Sequence, residues 1–401
     1  MDLTSGAPFW PIRDGLLATF PALTADRKTD VAVIGGGIAG ALVAHRFTSA
    51  GVQCVLVDGR EIGHGSTSAS TALLQYELDT HLIDLIEMVG RRRAERAYCL
   101  AHEAVGEVER LACEGRDHCL FRRRKSVYLA SRRGDADALR REYEARKALG
   151  LRVEFLGRRD IQSTFSFSRQ AAILSMTAGE VDPYRLTHKL LAAAQRRGLE
   201  VYDRTYIQNV SPVGRGVALT TDAGHRIRAR RVVFATGYET PEYLDQKIVT
   251  LKSTFALATA KVDSFDGWGQ QRCLIWESAR PYFYARTTDE GRVILGGEDR
   301  RGATAHAQEG QLRRRAKSLL GKFRRLFPQI PVVADWRWAG TFGETRDGLP
   351  YIGTNRQFPR AYFALGYGGN GITFSLIAAR LLVDLFLERR NPDIRIFGFD
   401  R

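Results

Sequence analysis

The stretch DVAVIGGGIAG, residues 30–40, decides the fold of this 401-residue chain. Its mostly apolar first half ends in a run of glycines, which predicts a buried parallel strand followed by a tight turn. The sequence from Ile38 to Ala50 then predicts a helix, and Val52–Val57 predicts a second apolar strand, closed by Asp58. Together these segments form a βαβ unit of about 30 residues.

The glycines of the turn have the spacing Gly-x-Gly-x-x-Gly, at Gly35, Gly37 and Gly40. In a dinucleotide site the first glycine permits the turn, the second admits a pyrophosphate, and the third lets helix and strand pack closely. The first helical residues, Ile38 and Ala39, add N–H donors and a favourable helix dipole. We therefore predict a dinucleotide-binding turn.

A carboxylate stands where the ribose of such a nucleotide is bound. Asp58 ends the second strand and can accept hydrogen bonds from ribose hydroxyls. This favours NAD or FAD over NADP, although Arg60 close by is a contrary sign.

Composition narrows the class of protein. Apolar residues make up 44% and charged residues 26% of the chain, enough to bury a core in two or three domains. No apolar run reaches the length of a membrane span, since Ile372–Leu387 is interrupted by Arg380 and Asp384. The N-terminal sequence has no secretory pattern, so we expect a cytoplasmic protein.

The net charge of +15 raises the possibility of a nucleic-acid or membrane partner. However, the basic clusters Arg91–Arg93, Arg122–Lys125 and Arg313–Arg315 lie far apart, each in helix-forming sequence. We interpret them as solvated helix faces and do not expect nucleic acid as a partner. The five cysteines form no CxxC pair, so neither a disulfide framework nor a metal site is expected.

Beyond the turn, the chain resembles the D-amino-acid oxidase superfamily of FAD-dependent oxidoreductases, which includes glycine oxidase, sarcosine oxidases and gamma-glutamylputrescine oxidase. Six motifs occur in the family's order: residues 30–40, 65–72, 179–183, 232–237, 338–353 and 366–372. The resemblance implies an α/β fold, with a Rossmann-type FAD-binding domain interleaved with an antiparallel-sheet (α+β) substrate domain. We expect the FAD domain over residues 1–85, 176–245 and 335–401, and the substrate domain over 86–175 and 246–334.

The resemblance also implies which residues contact FAD. Carried over position by position, they are Gly35, Gly37, Ile38, Ala39, Gly40, Asp58, Gly59, Ser66, Thr67, Ser70, Thr71, Ala72, Ile207, Thr236, Gly237, Gly340, Gly368, Gly369, Asn370, Gly371 and Ile372. Some members attach the flavin through a cysteine in the block that here is residues 341–346. Because that block contains no cysteine, we expect FAD to be noncovalent.

The chemistry implied by the resemblance is oxidation of a small amine or amino acid. A hydride passes from the carbon beside nitrogen to the flavin, the resulting imine is hydrolysed, and the electrons go to O₂ or another acceptor. The sequence shows no Ser-His-Asp or Cys-His arrangement, which fits chemistry carried by a cofactor.

Two departures from the family concern the substrate carboxylate. Phe342 and Gly369 stand where relatives have arginines. A compensating candidate is Arg286, which alternation places on one strand face with Tyr282 and Tyr284. That strand lines the substrate cavity in relatives; the alternative is a Tyr/Arg ladder on a wet sheet face.

Three further side chains are candidates near the flavin. Gln75 and Glu77 follow the segment that wraps it, and Glu77 would suit a cationic amine. Its alternative is a carboxylate at a helix start. Lys252 could assist the reaction with oxygen, or it could be a surface lysine.

Other functions stay open at this point. One is a flavoprotein acting on a hydroxyl carbon, like glycerol-phosphate dehydrogenases. Another is an RNA-directed flavoprotein, and a third is a non-enzymatic flavin-binding subunit.

Overall fold

The computed structural model describes residues 3–302 and 307–401. The chain forms two compact units, each assembled from three separate segments. The glycine-turn unit comprises residues 13–68, 182–250 and 343–401, and the large-sheet unit comprises residues 1–12, 69–181 and 251–342. Residues 1–12 and 69–85, which the sequence assigns to the nucleotide domain, thus group with the large sheet.

The elements are numbered in chain order. The strands are β1 (Thr4–Gly6), β2 (Arg27–Ile34), β3 (Cys54–Val57), β4 (Leu73–Gln75), β5 (Arg122–Leu129), β6 (Val153–Gly157), β7 (Ala171–Glu180), β8 (Glu200–Tyr202), β9 (Ile207–Val213), β10 (Gly216–Thr221), β11 (Arg226–Phe234), β12 (Thr250–Thr259), β13 (Leu274–Glu277), β14 (Phe283–Thr287), β15 (Val293–Arg301), β16 (Ala334–Glu344), β17 (Tyr351–Asn355) and β18 (Phe358–Leu365).

The α-helices are α1 (Phe9–Asp14), α2 (Ile38–Ser49), α3 (Ser66–Ala69), α4 (Leu82–Val89), α5 (Arg91–Cys113), α6 (Asp135–Ala148), α7 (Arg158–Thr164), α8 (Pro183–Gln195), α9 (Glu309–Leu326) and α10 (Gly371–Phe386). Two 3₁₀ helices span Gly237–Glu242 and Pro392–Ile396. No helix of the described ranges is long and apolar enough to cross a bilayer.

The sheet of the glycine-turn unit has the order β17-β18-β11-β2-β3-β8, with β10 on β11 and β9 on β10. The pairs from β18 to β8 are parallel. Their strands are apolar runs, and helix α2 packs on both α8 and α10, as a parallel sheet covered by helices requires. The chain reverses its order between β2 and β11, and ligands of such sheets bind at this point.

The sheet of the large-sheet unit has the order β1-β16-β12-β15-β14-β13-β5-β7-β4, with β6 on β7. It is mostly antiparallel, but β13 runs parallel to β5. One face packs on α9 through a core that includes Phe283, Leu295 and Phe323. The other face carries a smaller cluster around Tyr128 and Trp276.

One local interpretation from sequence is wrong. The basic run Arg122–Lys125, interpreted as a helix face, lies in strand β5, whose backbone pairs with β7 and whose second half is buried. Strand β11 is continuous over Arg226–Phe234 and pairs with β2.

His188 of α8 is buried in the glycine-turn unit. Its ring stacks on Phe20 and meets Tyr184 edge-on, with centroids 6.1 and 4.7 Å away. Burial, followed by the nearby His64, lowers the pKa of His188 to about 4. The imidazole is therefore neutral in the folded protein at physiological pH.

This depressed pKa predicts acid sensitivity. Below about pH 6.5 the unfolded chain binds a proton at this histidine while the folded chain does not, so stability falls from pH 6.5 toward pH 4. We expect His188→Gln to reduce the loss of melting temperature between pH 7.5 and pH 5, measured by thermal unfolding. The exposed His118 is the control, and His118→Gln should leave the loss unchanged. An equal loss of melting temperature in the wild type and both variants would contradict the assignment of this acid sensitivity to His188.

Candidate functional site

The turn from β2 to α2 has no room for side chains. Gly35 has a φ of +112°, and a Cβ on it would lie 2.5 Å from the carbonyl oxygen of Ala235, which directly follows the neighbouring strand β11. A Cβ on Gly40 would lie 1.8 Å from the oxygen of Gly35. The backbone of α2 therefore sits directly against the turn, and its N-terminus faces the crevice beside β11.

Asp58 braces this turn. Its Oδ2 accepts a hydrogen bond from the Gly36 amide at 2.6 Å, and its Oδ1 accepts one from the Arg60 amide at 2.7 Å. Burial raises the pKa of Asp58, and the two amide donors oppose that rise. Each carboxylate oxygen retains lone-pair capacity for a ribose hydroxyl.

Arg60 is held by an acid that the sequence interpretation did not include. Its guanidinium makes two hydrogen bonds to Glu239, of 3.0 and 2.5 Å. A guanidinium neutralised in this way is a poor partner for the 2′-phosphate of NADP, so Arg60 gives little support to NADP as the cofactor.

The remaining predicted nucleotide contacts of this unit cluster at the same edge. Thr67 accepts a hydrogen bond from the Ile38 amide at 2.9 Å, which holds the 59–68 segment to the first turn of α2. A Cβ on Gly37 would lie 2.9 Å from the same hydroxyl. Thr236 and Gly237 follow β11. The others are Ala39 in α2, Gly59, Ser66 at the start of α3, and buried Ile207 at the start of β9.

The glycine-rich loop between β18 and α10 also lies in the glycine-turn unit. Gly368 has a φ of +74° and donates its amide to the Gly343 oxygen at 2.8 Å. Gly369 and Asn370 follow, and α10 begins at Gly371 and Ile372. The loop therefore ends on a second helix N-terminus, where backbone amides favour negative charge.

The predicted flavin-wrapping residues Ser70, Thr71 and Ala72 lie in the large-sheet unit. Two tryptophans fix this segment: Trp10 donates to the Ser70 oxygen at 2.6 Å, and Trp338 donates to the Ala69 oxygen at 2.8 Å. Ala72 has a φ of +51°. Gly340 belongs to the same region, where an added Cβ would lie 3.2 Å from the Cβ of Ala69.

The β14 strand has two different faces, as its alternation predicts. Phe283 and Ala285 pack into the α9 core, whereas Tyr282 and Tyr284 pack against the cluster that contains Trp276. Burial raises the pKa of Tyr284 to about 12, opposed by a hydrogen bond with Thr71, so the phenol is un-ionised at neutral pH.

Gln75 lies on the same face of the large sheet. Its Nε2 donates to Ser126 Oγ at 2.8 Å, and Trp276 Nε1 donates to that hydroxyl at 3.0 Å. Tyr128 stacks on Trp276 with ring centroids 3.9 Å apart. We call Tyr128, Trp276, Tyr282 and Tyr284 the aromatic wall.

Arg286 is buried, with 3% of its surface exposed. Its Nη1 donates to the carbonyl oxygens of Ala72 and Val181 at 2.7 and 3.3 Å, and its guanidinium lies 5.3 Å from the Trp10 ring. These contacts hold the predicted flavin-wrapping segment to strand β14. They also compete with the predicted role of Arg286 in binding a substrate carboxylate.

The other candidates are dispersed within the large-sheet unit. Glu77 is buried between β4 and α4, in electrostatic contact with Tyr76, Tyr98 and Arg146, and does not start a helix. Lys252 is half-buried in β12, in register with Arg301. Phe342 lies near the end of β16, and the described residues contain no cluster of metal-ligating side chains.

Comparisons with known proteins agree with this geometry. The DAO family, described as FAD dependent oxidoreductase, matches residues 30–385. Glycine oxidase from Bacillus subtilis is 23% identical over 390 residues, covering 94% of this chain and 98% of the relative. Gamma-glutamylputrescine oxidoreductase from Escherichia coli is 25% identical over 389 residues, covering 92% and 86%.

The structural comparison gives the same fold. The solved structure of glycine oxidase from Geobacillus kaustophilus has a TM-score of 0.78 at 21% identity, covering 94% of this chain and 99% of that one. Since the family match spans most of the sequence, the chain belongs to the DAO family of FAD-dependent oxidoreductases.

Proposed function

We propose that this enzyme oxidises a small amine or amino acid at the carbon bonded to nitrogen. FAD supplies the hydride acceptor. The substrate loses a hydride from carbon and a proton from nitrogen, and water hydrolyses the resulting imine to a carbonyl compound and an amine. The substrate nitrogen must be unprotonated to form the imine, so a desolvated site favours the reaction.

The residues of the glycine-turn unit fit the nucleotide part of FAD. Gly35, Gly37 and Gly40 leave no Cβ in the turn, so a pyrophosphate can reach the amides at the start of α2. We assign the ribose hydroxyls to Asp58. The amides of Gly368–Ile372 are assigned to the electron-rich edge of the flavin ring, where a helix N-terminus stabilises negative charge.

We further propose that FAD is held noncovalently. Residues 341–346 contain no cysteine. Cys54, Cys119 and Cys273 are buried in the folded chain, and burial raises the pKa of the Cys54 and Cys273 thiols.

The proposed substrate class rests on the aromatic wall. It joins a stacked Tyr128–Trp276 pair to Tyr282 and Tyr284, with Gln75 as a hydrogen-bonding group at its edge. Aromatic surfaces exclude water, which favours the neutral amine, and they also attract a cationic amine through their ring faces. The two arginines that the resemblance places against a substrate carboxylate are Phe342 and Gly369 here, which leaves Arg286 as a candidate clamp.

Anaerobic titration of the flavin tests this reaction. We expect the flavin band to bleach with at least one member of a panel of amines, N-methyl amino acids, D-amino acids and diamines. The matched hydroxy compound, such as glycolate for glycine, should not bleach it, because it lacks the nitrogen that forms the imine. Bleaching by hydroxy compounds alone would replace amine oxidation with alcohol oxidation. Acid precipitation should leave all FAD in the supernatant.

Gly40 provides a test of the nucleotide site. We expect Gly40→Ala to lose most of its bound FAD, because the new methyl group would meet the Gly35 oxygen at 1.8 Å. Gly106 is the matched control: it is a helical glycine with nothing within 4 Å of an added Cβ. Gly106→Ala should keep its FAD and gain up to about 1 kcal/mol of stability. Flavin absorbance per purified chain measures both, and full FAD content in Gly40→Ala would contradict the assignment.

Substitution of Arg286 distinguishes a role in positioning the flavin-wrapping segment from a role in binding the substrate carboxylate. Arg286→Met leaves two buried carbonyls without their donor, and we expect the free energy of unfolding to fall by about 1–3 kcal/mol. We expect kcat/KM to fall by a similar factor for an amino acid and for the amine lacking its carboxylate, with reduced FAD content. If the KM of the amino acid alone rises and FAD is retained, Arg286 is a carboxylate clamp instead.

A further inference from the structure

Helix α9 presents a face made only of cations and glycines. Its buried side consists of Leu312, Ala316, Leu319, Phe323 and Leu326, which pack into the core. At about 100° per residue, Arg313, Arg314, Lys317, Arg324 and Arg325 fall within an arc of about 120° that faces away from this side, and all five are exposed. We call these five residues the basic ribbon. Between them lies Gly321, so no acidic side chain interrupts the row.

The ribbon differs from the other long surface helix, α5. That helix carries five arginines, of which three pair along its surface: Arg91 with Glu95, Arg96 with Glu103 and Arg110 with Glu107. Helix α9 has a single acid, Glu309, in its first turn, where it pairs with Arg313.

Local structure explains only part of the ribbon's charge. Glu309 pairs with Arg313, and the macrodipole favours Arg324 and Arg325 in the last turn of α9. In the described residues, Arg314 and Lys317 make no ion pair, whereas Arg315 and Lys322, which lie off the ribbon, share Glu298. Like charges at i and i+3 or i+4, as at residues 313, 314 and 317, destabilise a helix.

We propose that the basic ribbon binds the phosphate backbone of a duplex nucleic acid. The five cations span residues 313–325, about 18 Å of helix at 1.5 Å per residue. Phosphates lie about 3.4 Å apart along the axis of a duplex, but each strand winds around that axis, so a straight helix of this length meets a few of them on one strand. Four of the five cations are arginines, whose forked donors bind phosphate oxygens in pairs.

An anionic membrane fits the ribbon less well. Stable adsorption of a helix to a bilayer needs apolar side chains that enter it in addition to charge. The apolar side of α9 is committed to the core, and Val333 is the large apolar residue exposed near its end. The sequence analysis interprets Arg313–Arg315 as a solvated helix face, because the three basic clusters lie far apart in the chain. In α9, Arg324 and Arg325 lie on the same exposed face as Arg313 and Arg314.

Binding of a fluorescein-labelled 20-base-pair duplex to the FAD-loaded enzyme tests this inference. The ribbon variant is R313Q/R314Q/K317Q/R325Q. The control is R91Q/R92Q/R93Q/R116Q, which removes four exposed cations from the same unit and lowers the net charge equally. Fluorescence anisotropy between 50 and 200 mM salt gives the Kd and its salt dependence. Parallel cosedimentation uses phosphatidylglycerol vesicles.

We expect the ribbon variant to raise the Kd at 50 mM salt at least about tenfold and to reduce the slope of log Kd against log salt by about 3–4. The control should stay within about twofold of wild type. Equal losses in both variants, or no duplex binding by wild type, would overturn the inference. Ribbon-dependent binding to vesicles but not to duplex would assign the surface to a membrane. The double variant R314Q/R325Q replaces the quadruple one if the latter fails to bind FAD. The result of this binding experiment does not depend on whether the flavin titration supports amine oxidation.

Discussion

The contact between Gly40 and the carbonyl of Gly35 is the constraint on which the nucleotide site depends. Helix α2 can begin directly at the end of β2 only if that contact is free of a side chain. The Gly36 amide of this turn donates to Asp58, and the Ile38 amide at the start of α2 donates to Thr67, so both side chains fix the surrounding segments. The close approach of α2 to the turn after β2 thus sets the position of the backbone amides. A dinucleotide phosphate needs amides in this position in order to accept hydrogen bonds from them.

A second constraint lies in the large sheet, where Arg286 reaches two carbonyls that are far apart in sequence. Ala72 and Val181 sit close to points where the chain passes from one unit to the other. A buried guanidinium at such places satisfies backbone oxygens that regular pairing does not reach. The indole N–H groups of Trp10 and Trp338 likewise donate to the carbonyl oxygens of Ser70 and Ala69. The segment expected to wrap the flavin is therefore positioned by side chains from three distant parts of the chain.

The parts of the structure that were predictable from sequence are those encoded locally. The glycine spacing and Asp58 identify the turn, because a few neighbouring residues define both its conformation and its chemistry. The alternation of Tyr282 and Tyr284 predicts which side chains share a face. In contrast, Glu239 beside Arg60 could not be found, since their contact joins residues 179 positions apart. The sequence predicts a helix face for the basic run of β5, because the pairing of that strand with β7 leaves no local signal.

Both constraints bear on the order in which the protein can be completed during synthesis. The glycine-turn unit needs residues 13–68, 182–250 and 343–401, and its helix α2 packs on α10, with Phe47 against Phe386. The turn at residues 35–40 leaves the ribosome long before α10, the helix that packs on α2. The βαβ segment must therefore wait, with apolar surface of α2 uncovered, until α10 has emerged. Such long-range closure slows folding and prolongs the time for which this apolar surface is open to aggregation.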